Sequence, residues 1–255
     1  MAGGKPAAPG QPAVGAGPDR AAGPVLRLVL WRHGQTAWNA QRRFQGHSDI
    51  SLDETGREQA RSAARYLAAM HPDAIFSSDL ARAAETAAFL GELTGLPVQL
   101  DKDLRERGGG VWEGLTDQQI REGYPQAYQE WNPPDGEPVS AVADRVAAAF
   151  ERVADSAGGS LAVLVSHGAA ISLGISRLLG LPERTRVLGP LGNCSWSVLG
   201  KRWGNWRLLE HNVGQLPDLD PEPVPVLAAG PEEETAPAGS TAAARQSRPD
   251  PPDGR

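Results

Sequence analysis

Between residues 25 and 216, short hydrophobic runs alternate with stripes of apolar residues at helical spacing, the pattern of an α/β domain. Val25–Trp31 predicts a first strand. Thr55–Met70 predicts a helix, because Ala60, Ala63, Ala64, Leu67 and Ala68 recur on one face. Ala74–Ser77 reads as a short strand. Asp79 is then placed to cap a helix over Leu80–Leu93 that stops at Gly95-Leu96-Pro97. Val98–Leu100 is another short strand. Thr116 and Gln119 have the spacing of a capping box for a short helix in a lid-like region. Ser140 is the expected cap of a longer helix carrying Val142, Val146, Phe150 and Val153 on one face. Leu161–Val165 is the most strand-like run, Ala169–Leu179 is helical, and Cys194–Leu199 with Trp206–Glu210 predict a late hairpin joined through Gly200 and Gly204.

Outside this region the pattern fades. Residues 1–24 and 217–255 hold 14 of the 22 prolines. Such stretches bury too little apolar surface to offset the entropy of ordering, so two disordered tails are expected around one domain, residues 25–216. The C-terminal stretch also changes the charge picture. It carries eight acidic and three basic side chains, so most of the net charge of −6 belongs to it and the domain is close to neutral. No basic stripe points to nucleic acid and no polybasic run to a membrane surface. The start of the chain has no apolar signal core and no stretch approaches membrane-spanning length, which makes the cytoplasm the expected location. Cys194 is the sole cysteine, which rules out an intrachain disulfide and a cysteine metal cluster; its strand-like surroundings point to a structural thiol.

The chemistry lies in a pattern that occurs twice. Leu28–Trp31 runs into Arg32-His33-Gly34, and Leu161–Val165 runs into Ser166-His167-Gly168. Ligands of parallel α/β sheets bind at the carboxyl ends of strands, so two histidines in this setting would share one crevice. Glycine beside each lets the backbone approach a bound group. Arg32, Asn39 and Arg82 add donors suited to phosphate oxygens, Arg82 near the first turn of a helix. A metal site fits less well, because neither histidine has a His-x-x-x-His partner or a nearby carboxylate set. His47, His71 and His211 belong to no such pattern, although His47 is close in sequence to the proposed pocket. An acid for the leaving oxygen is expected in the Gly-rich Leu104–Gly114 segment, where Glu106 leads and Glu113 competes.

Together these residues resemble the histidine phosphatase superfamily in its phosphoglycerate-mutase-like branch, from about Leu28 to Trp206. The strongest motif is Arg32-His33-Gly34-Gln35-Thr36 with Asn39. Gln45-Gly46, Thr55-Gly56, Ser77-Ser78-Asp79-Leu80 with Arg82 and Thr86, Leu104-Arg105-Glu106, Gly110-x-Trp112-Glu113-Gly114 and Ser166-His167-Gly168 support it. The resemblance implies a three-layer phosphoglycerate-mutase-like fold, with a mostly parallel central sheet and helices on both faces. It implies that His33 is the phosphorylated nucleophile and Glu106 the acid, then the base. It also implies that Arg32, Asn39, Arg82, His167 and Gly168 surround the phosphoryl group, that Gln45 and Gly46 meet substrate, and that neither metal nor cofactor is needed. Two departures stand out. Gly108-Gly109 predict a mobile loop beside Glu106, and Gly136-Glu137-Pro138 replaces a usual Gly-Glu-Ser.

A mutase would hold its substrate's carboxylate with extra basic residues, yet Trp112–Ser140 contains only Arg121. Hydrolysis of a small-molecule phosphomonoester is therefore the expected reaction, with a mutase and a catalytically silent phosphate-binding module as the alternatives. The Leu188–Leu199 segment is similar to that of enzymes acting on a glucosylated phosphoglycerate, with α-ribazole phosphate as the competing substrate. Trp112, Trp131, Trp196, Trp203 and Trp206 are expected mainly in the core; any exposed member would serve the pocket or a homodimer contact.

Overall fold

A computed structural model describes residues 26–156, 161–182 and 187–214. The two expected tails lie outside the described residues. The elements are β1 (Leu26–Arg32), α1 (Ala37–Ala40), α2 (Glu54–Ala68), β2 (Ala74–Ser77), α3 (Ala81–Thr94), β3 (Val98–Leu100), α4 (Asp117–Gly123), α5 (Pro125–Glu130), α6 (Val139–Ser156), β4 (Leu161–Ser166), α7 (Gly168–Leu178), β5 (Trp196–Arg202) and β6 (Asn205–Val213), with short 3-10 turns at Lys102–Leu104 and Gly110–Trp112.

One six-stranded sheet runs in the order β3-β2-β4-β1-β5-β6. β1 pairs with β4, β4 with β2 and β2 with β3 in parallel, while β5 lies antiparallel between β1 and β6. Alternation in β1 and β4 splits the core into two layers, as the two-residue period of a strand requires. Leu28, Leu30, Ala162 and Leu164 pack with Val146, Phe150, Ile171 and Ile175 of α6 and α7. Val29, Trp31, Val163 and Val165 pack with Ala60, Ala64, Leu67, Ala83, Ala87 and Leu90 of α2 and α3. Central strands buried on both faces are near-continuously apolar, which is why β1 and β4 were so plain in the sequence. The three-layer expectation is met.

Local chemistry differed from expectation at four places. Asp79 does not cap α3: Arg105 takes both its carboxylate oxygens at 2.6 Å, and Asp49 Oδ1 accepts the Ala81 N–H at 2.6 Å instead. A bidentate charge-assisted pair outweighs a single capping bond. Ser140 lies inside the first turn of α6, where the Val142 N–H bonds to the Pro138 carbonyl at 3.1 Å. The β5–β6 turn is Trp203-Gly204, with φ of 53° and 77°, the twist that suits a tight hairpin, whereas Gly200 is within β5. Cys194 precedes β5 in a left-handed conformation (φ 56°), buried, with burial pushing its thiol up to about 12. Of the tryptophans singled out, Trp112 and Trp196 are buried and Trp203 is exposed. Among the described residues, no helix is long and apolar enough to cross a membrane.

Candidate active site

The two histidine motifs meet because β1 and β4 are neighbours in register, with Arg32 opposite Ser166. The pairing continues one step past the strands, where the His33 N–H donates to the Ser166 carbonyl at 3.0 Å. The His33 and His167 rings end 5.1 Å apart between centroids, tilted by 59°. Both side chains are almost wholly buried.

The tautomer of His33 follows from its partner. Nδ1 lies 2.7 Å from the Gly34 carbonyl, which only accepts, so Nδ1 carries the proton and Nε2 keeps its lone pair. Burial first, then the charges of Arg82 and Arg32, hold the ring well below the usual histidine pKa. It is therefore neutral near pH 7. The His33 carbonyl is tied down as well, by the Cys194 N–H and Asn193 Nδ2, each at 3.2 Å. Gly34 donates its N–H to Thr86 Oγ1 at 3.1 Å, and a Cβ there would meet the Gly56 carbonyl oxygen at 2.4 Å. The glycine after the nucleophile candidate is thus demanded by its close approach to α2.

Arg82, from the first turn of α3, is fully buried, contrary to the solvated position usual for a helical arginine. Its Nε donates to His167 Nδ1 at 3.2 Å, Nη1 to the Ser48 carbonyl at 2.8 Å and Nη2 to the Gly46 carbonyl at 2.8 Å. Burial lowers its pKa to about 10, which leaves it charged at neutral pH. Because Arg82 supplies a proton to His167 Nδ1, neutral His167 carries its own proton on Nε2, 2.9 Å from Ser78 Oγ. Burial, Arg82, His33, Arg32 and Arg145 hold His167 well below its ordinary pKa.

Arg32 donates to the Leu191 carbonyl, and its side chain passes the start of α7, 3.5 Å from where a Cβ on Gly168 would be. Asn39 is held by a reciprocal capping box with Thr36 at α1, and its Oδ1 also accepts from Asn193 Nδ2 at 3.3 Å. With Oδ1 so engaged, its NH2 end is left for other partners. Gln45 Oε1 accepts from Thr36 Oγ1 at 3.1 Å, and Gly46 (φ 53°) turns its carbonyl onto Arg82. Arg82, His167 and Gly46 are thus joined by hydrogen bonds, as are His33, Asn39 and Gln45 through Asn193 and Thr36.

The two glutamates separate. Glu106 accepts from the Ala170 N–H at 3.0 Å and the Ala169 N–H at 3.2 Å, at the amino end of α7, and from the Arg107 N–H at 2.9 Å. Glu113 is instead a brace: its carboxylate accepts from the N–H groups of His47, Ser48 and Gly109 and from Ser48 Oγ at 2.7–2.9 Å. Burial raises its pKa, but these hydrogen bonds outweigh that and leave it lowered. Of the two glycines beside Glu106, Gly109 is required by packing, since a Cβ there would sit 2.4 Å from the Phe44 ring, whereas a Cβ on Gly108 would meet nothing nearer than 3.6 Å.

Sequence reasoning missed Arg145, Asn193 and Asp49. Arg145 left only a faint signal, being flanked by the buried Ala143 and Val146 of α6. His47 lies at the rim, donating from Nε2 to the Glu106 carbonyl at 2.8 Å; His211 bonds Ser197 and Gly189, and His71 is exposed. Among the described residues, no group of three or more His, Cys, Asp or Glu side chains is arranged to hold a metal ion.

The profile of the histidine phosphatase superfamily (branch 1) matches residues 28–214. A glucosyl-3-phosphoglycerate phosphatase of Mycolicibacterium vanbaalenii is 42% identical over 189 residues, covering 69% of this chain and 84% of the relative. The structure of a mycobacterial glucosyl-3-phosphoglycerate phosphatase complexed with VO3 superposes with a TM-score of 0.69 at 41% identity, covering 74% of this chain and 99% of that one. A probable phosphoglycerate mutase of an Enterobacter species is 36% identical over 191 residues, covering 71% of this chain and 88% of the relative.

Proposed function

Since the chain belongs to the histidine phosphatase superfamily, branch 1, we propose that it hydrolyses glucosyl-3-phosphoglycerate through a phosphohistidine on His33. The observation that carries this reading is the His33 Nδ1–H bond to Gly34 beside the buried Arg82–His167 pair. That bond leaves Nε2 as a neutral nucleophile aimed by the backbone, ready for in-line attack on phosphorus. As the P–O bond of the ester breaks, Glu106 donates a proton to the leaving alkoxide. Arg32, Arg82, His167 and the Asn39 amide offset the charge spread over the transferring oxygens, helped by the backbone at Gly168. Glu106, now a carboxylate, takes a proton from the incoming water, which attacks phosphorus and releases inorganic phosphate and neutral His33. Gln45 and Gly46 line the approach.

Hydrolysis rather than phosphoryl return is supported by the region a mutase would use to hold a carboxylate. Its single basic residue, Arg121, is paired with Asp117 at 2.5 Å and lies on the surface. The glucosylated substrate is supported by the names of the relatives and by the Leu188–Leu199 resemblance. We take residues 25–216 as the catalytic unit, a cytoplasmic location as its setting, and homodimerisation through exposed Trp203 as a further proposal to be read by light scattering.

The test is phosphate release from glucosyl-3-phosphoglycerate, α-ribazole phosphate, 3-phosphoglycerate and an aryl phosphate, with a chelator present, for wild type and His33→Ala. The reading expects chelator-resistant activity that is highest on the first substrate and lost in the variant. Equal rates across the panel would remove the substrate assignment, and activity surviving in His33→Ala would remove the mechanism.

A further inference from the structure

Glu106 sits on an irregular segment between two 3-10 turns, so nothing in its own secondary structure fixes its backbone. His47 holds the Glu106 carbonyl from one side, and the rest of that task falls to a residue of α6. Arg145 of α6 donates from Nη1 to the carbonyls of Asp103 (2.8 Å) and Arg105 (2.7 Å), and from Nη2 to the carbonyl of Glu106 (2.9 Å). Nε and Nη2 also bind the two carboxylate oxygens of Glu137 at 2.6 and 2.7 Å. A guanidinium has five N–H donors, and all five are used here. Three carbonyls within four residues are gathered onto one rigid planar group, which Glu137 in turn holds in place. Burial raises the Glu137 carboxyl, but the Arg145 bonds outweigh that and leave it lowered, so Glu137 stays ionised at neutral pH. The Glu106 carboxylate faces the start of α7 on its other side.

We propose that Arg145, braced by Glu137, is a positioning residue that sets the reach of Glu106 toward the leaving-group oxygen. This rests on the reading of Glu106 as the general acid, so the test includes that residue. An alkyl phosphate leaves as a poor alkoxide and needs the acid, whereas 4-nitrophenolate leaves with little help. The measurement is kcat/KM on glycerol 3-phosphate and on 4-nitrophenyl phosphate for wild type, Glu106→Gln, Arg145→Lys, Arg145→Met and Glu137→Gln, with thermal melts alongside. A displacement of about 1 Å at a reacting group costs on the order of 100-fold. Arg145→Met is expected to lose that much on the alkyl ester and under about 3-fold on the aryl ester. Arg145→Lys keeps the charge but offers a single nitrogen, and it should recover part of the alkyl activity.

Equal losses on both esters, or none, in Arg145→Lys and Glu137→Gln would overturn the positioning role, including where Arg145→Met fails to fold. A Glu106→Gln variant without the alkyl-specific loss would instead overturn the acid assignment beneath it.

Discussion

Replacing Gly56 by alanine tests whether the glycine pair beside His33 sets the position of the catalytic loop. Gly56 is helical, in the first turn of α2, so helix propensity alone predicts a gain of up to about 1 kcal/mol. The structure predicts the opposite sign. A Cβ on Gly56 would lie 2.0 Å from the Gln35 carbonyl oxygen and 2.7 Å from its nitrogen, both backbone atoms that cannot rotate away. Reaching ordinary contact at 3.4 Å requires a movement of about 1.4 Å by the loop or by α2. Overpacking of this kind costs about 3 kcal/mol, so the net loss is about 2 kcal/mol. For a domain of this size that corresponds to a fall in Tm of roughly 4–8 °C. Because Gln35 is two residues from His33, kcat/KM should fall on the order of 100-fold as well. The assays are a thermal melt and initial-rate phosphate release. A rise in Tm with unchanged activity would refute the argument, since it would mean that propensity outweighs the contact.

Four other outcomes are expected. His33 and His167 are held neutral in the fold, so the unfolded state binds more protons as pH falls below about 6.5; stability should be flat above that and drop by about 1.4 kcal/mol per pH unit per histidine below it. Urea titrations at several pH values should show a shallower slope between pH 5 and 6.5 in His33→Asn, and an unchanged slope would contradict the burial argument. Cys194, buried with its thiol near 12, should ignore a disulfide reagent in the native protein at pH 8 and react fully in denaturant. Glu113→Gln should loosen residues 46–48, of which the Gly46 and Ser48 carbonyls hold Arg82, and raise KM several-fold more than it lowers kcat, as steady-state kinetics would read. Ser78→Ala, by removing the oxygen that accepts from His167 Nε2 and the Leu80 N–H, should lower kcat on the order of 10-fold and cost about 1–3 kcal/mol of stability in a thermal melt.

The division between sequence and structure follows the range of each interaction. β1, β4, α2 and the capping box at Thr116 were legible, because apolar period and caps are set by residues within a few positions of one another. The twin Arg-His-Gly and Ser-His-Gly ends announced the site for the same reason. What the sequence did not disclose is how distant groups compete. Asp79 looked like a cap until Arg105 approached it, and Asp49 then served α3 from another segment. Glu106 led and Glu113 competed on sequence alone, until one met the amino end of α7 and the other four donors around Ser48. Gly109 had no evident reason to be glycine until the Phe44 ring filled the space beside it. Arg145 carried almost no signal, since apart from Glu137 its partners are carbonyls 39 to 42 residues away, and every residue type has a carbonyl. Local pattern therefore determined the elements and the two candidate histidines. The tertiary structure decided which carboxylate, arginine and glycine serve them, because hydrogen bonds and close contacts between remote segments leave no periodicity to read.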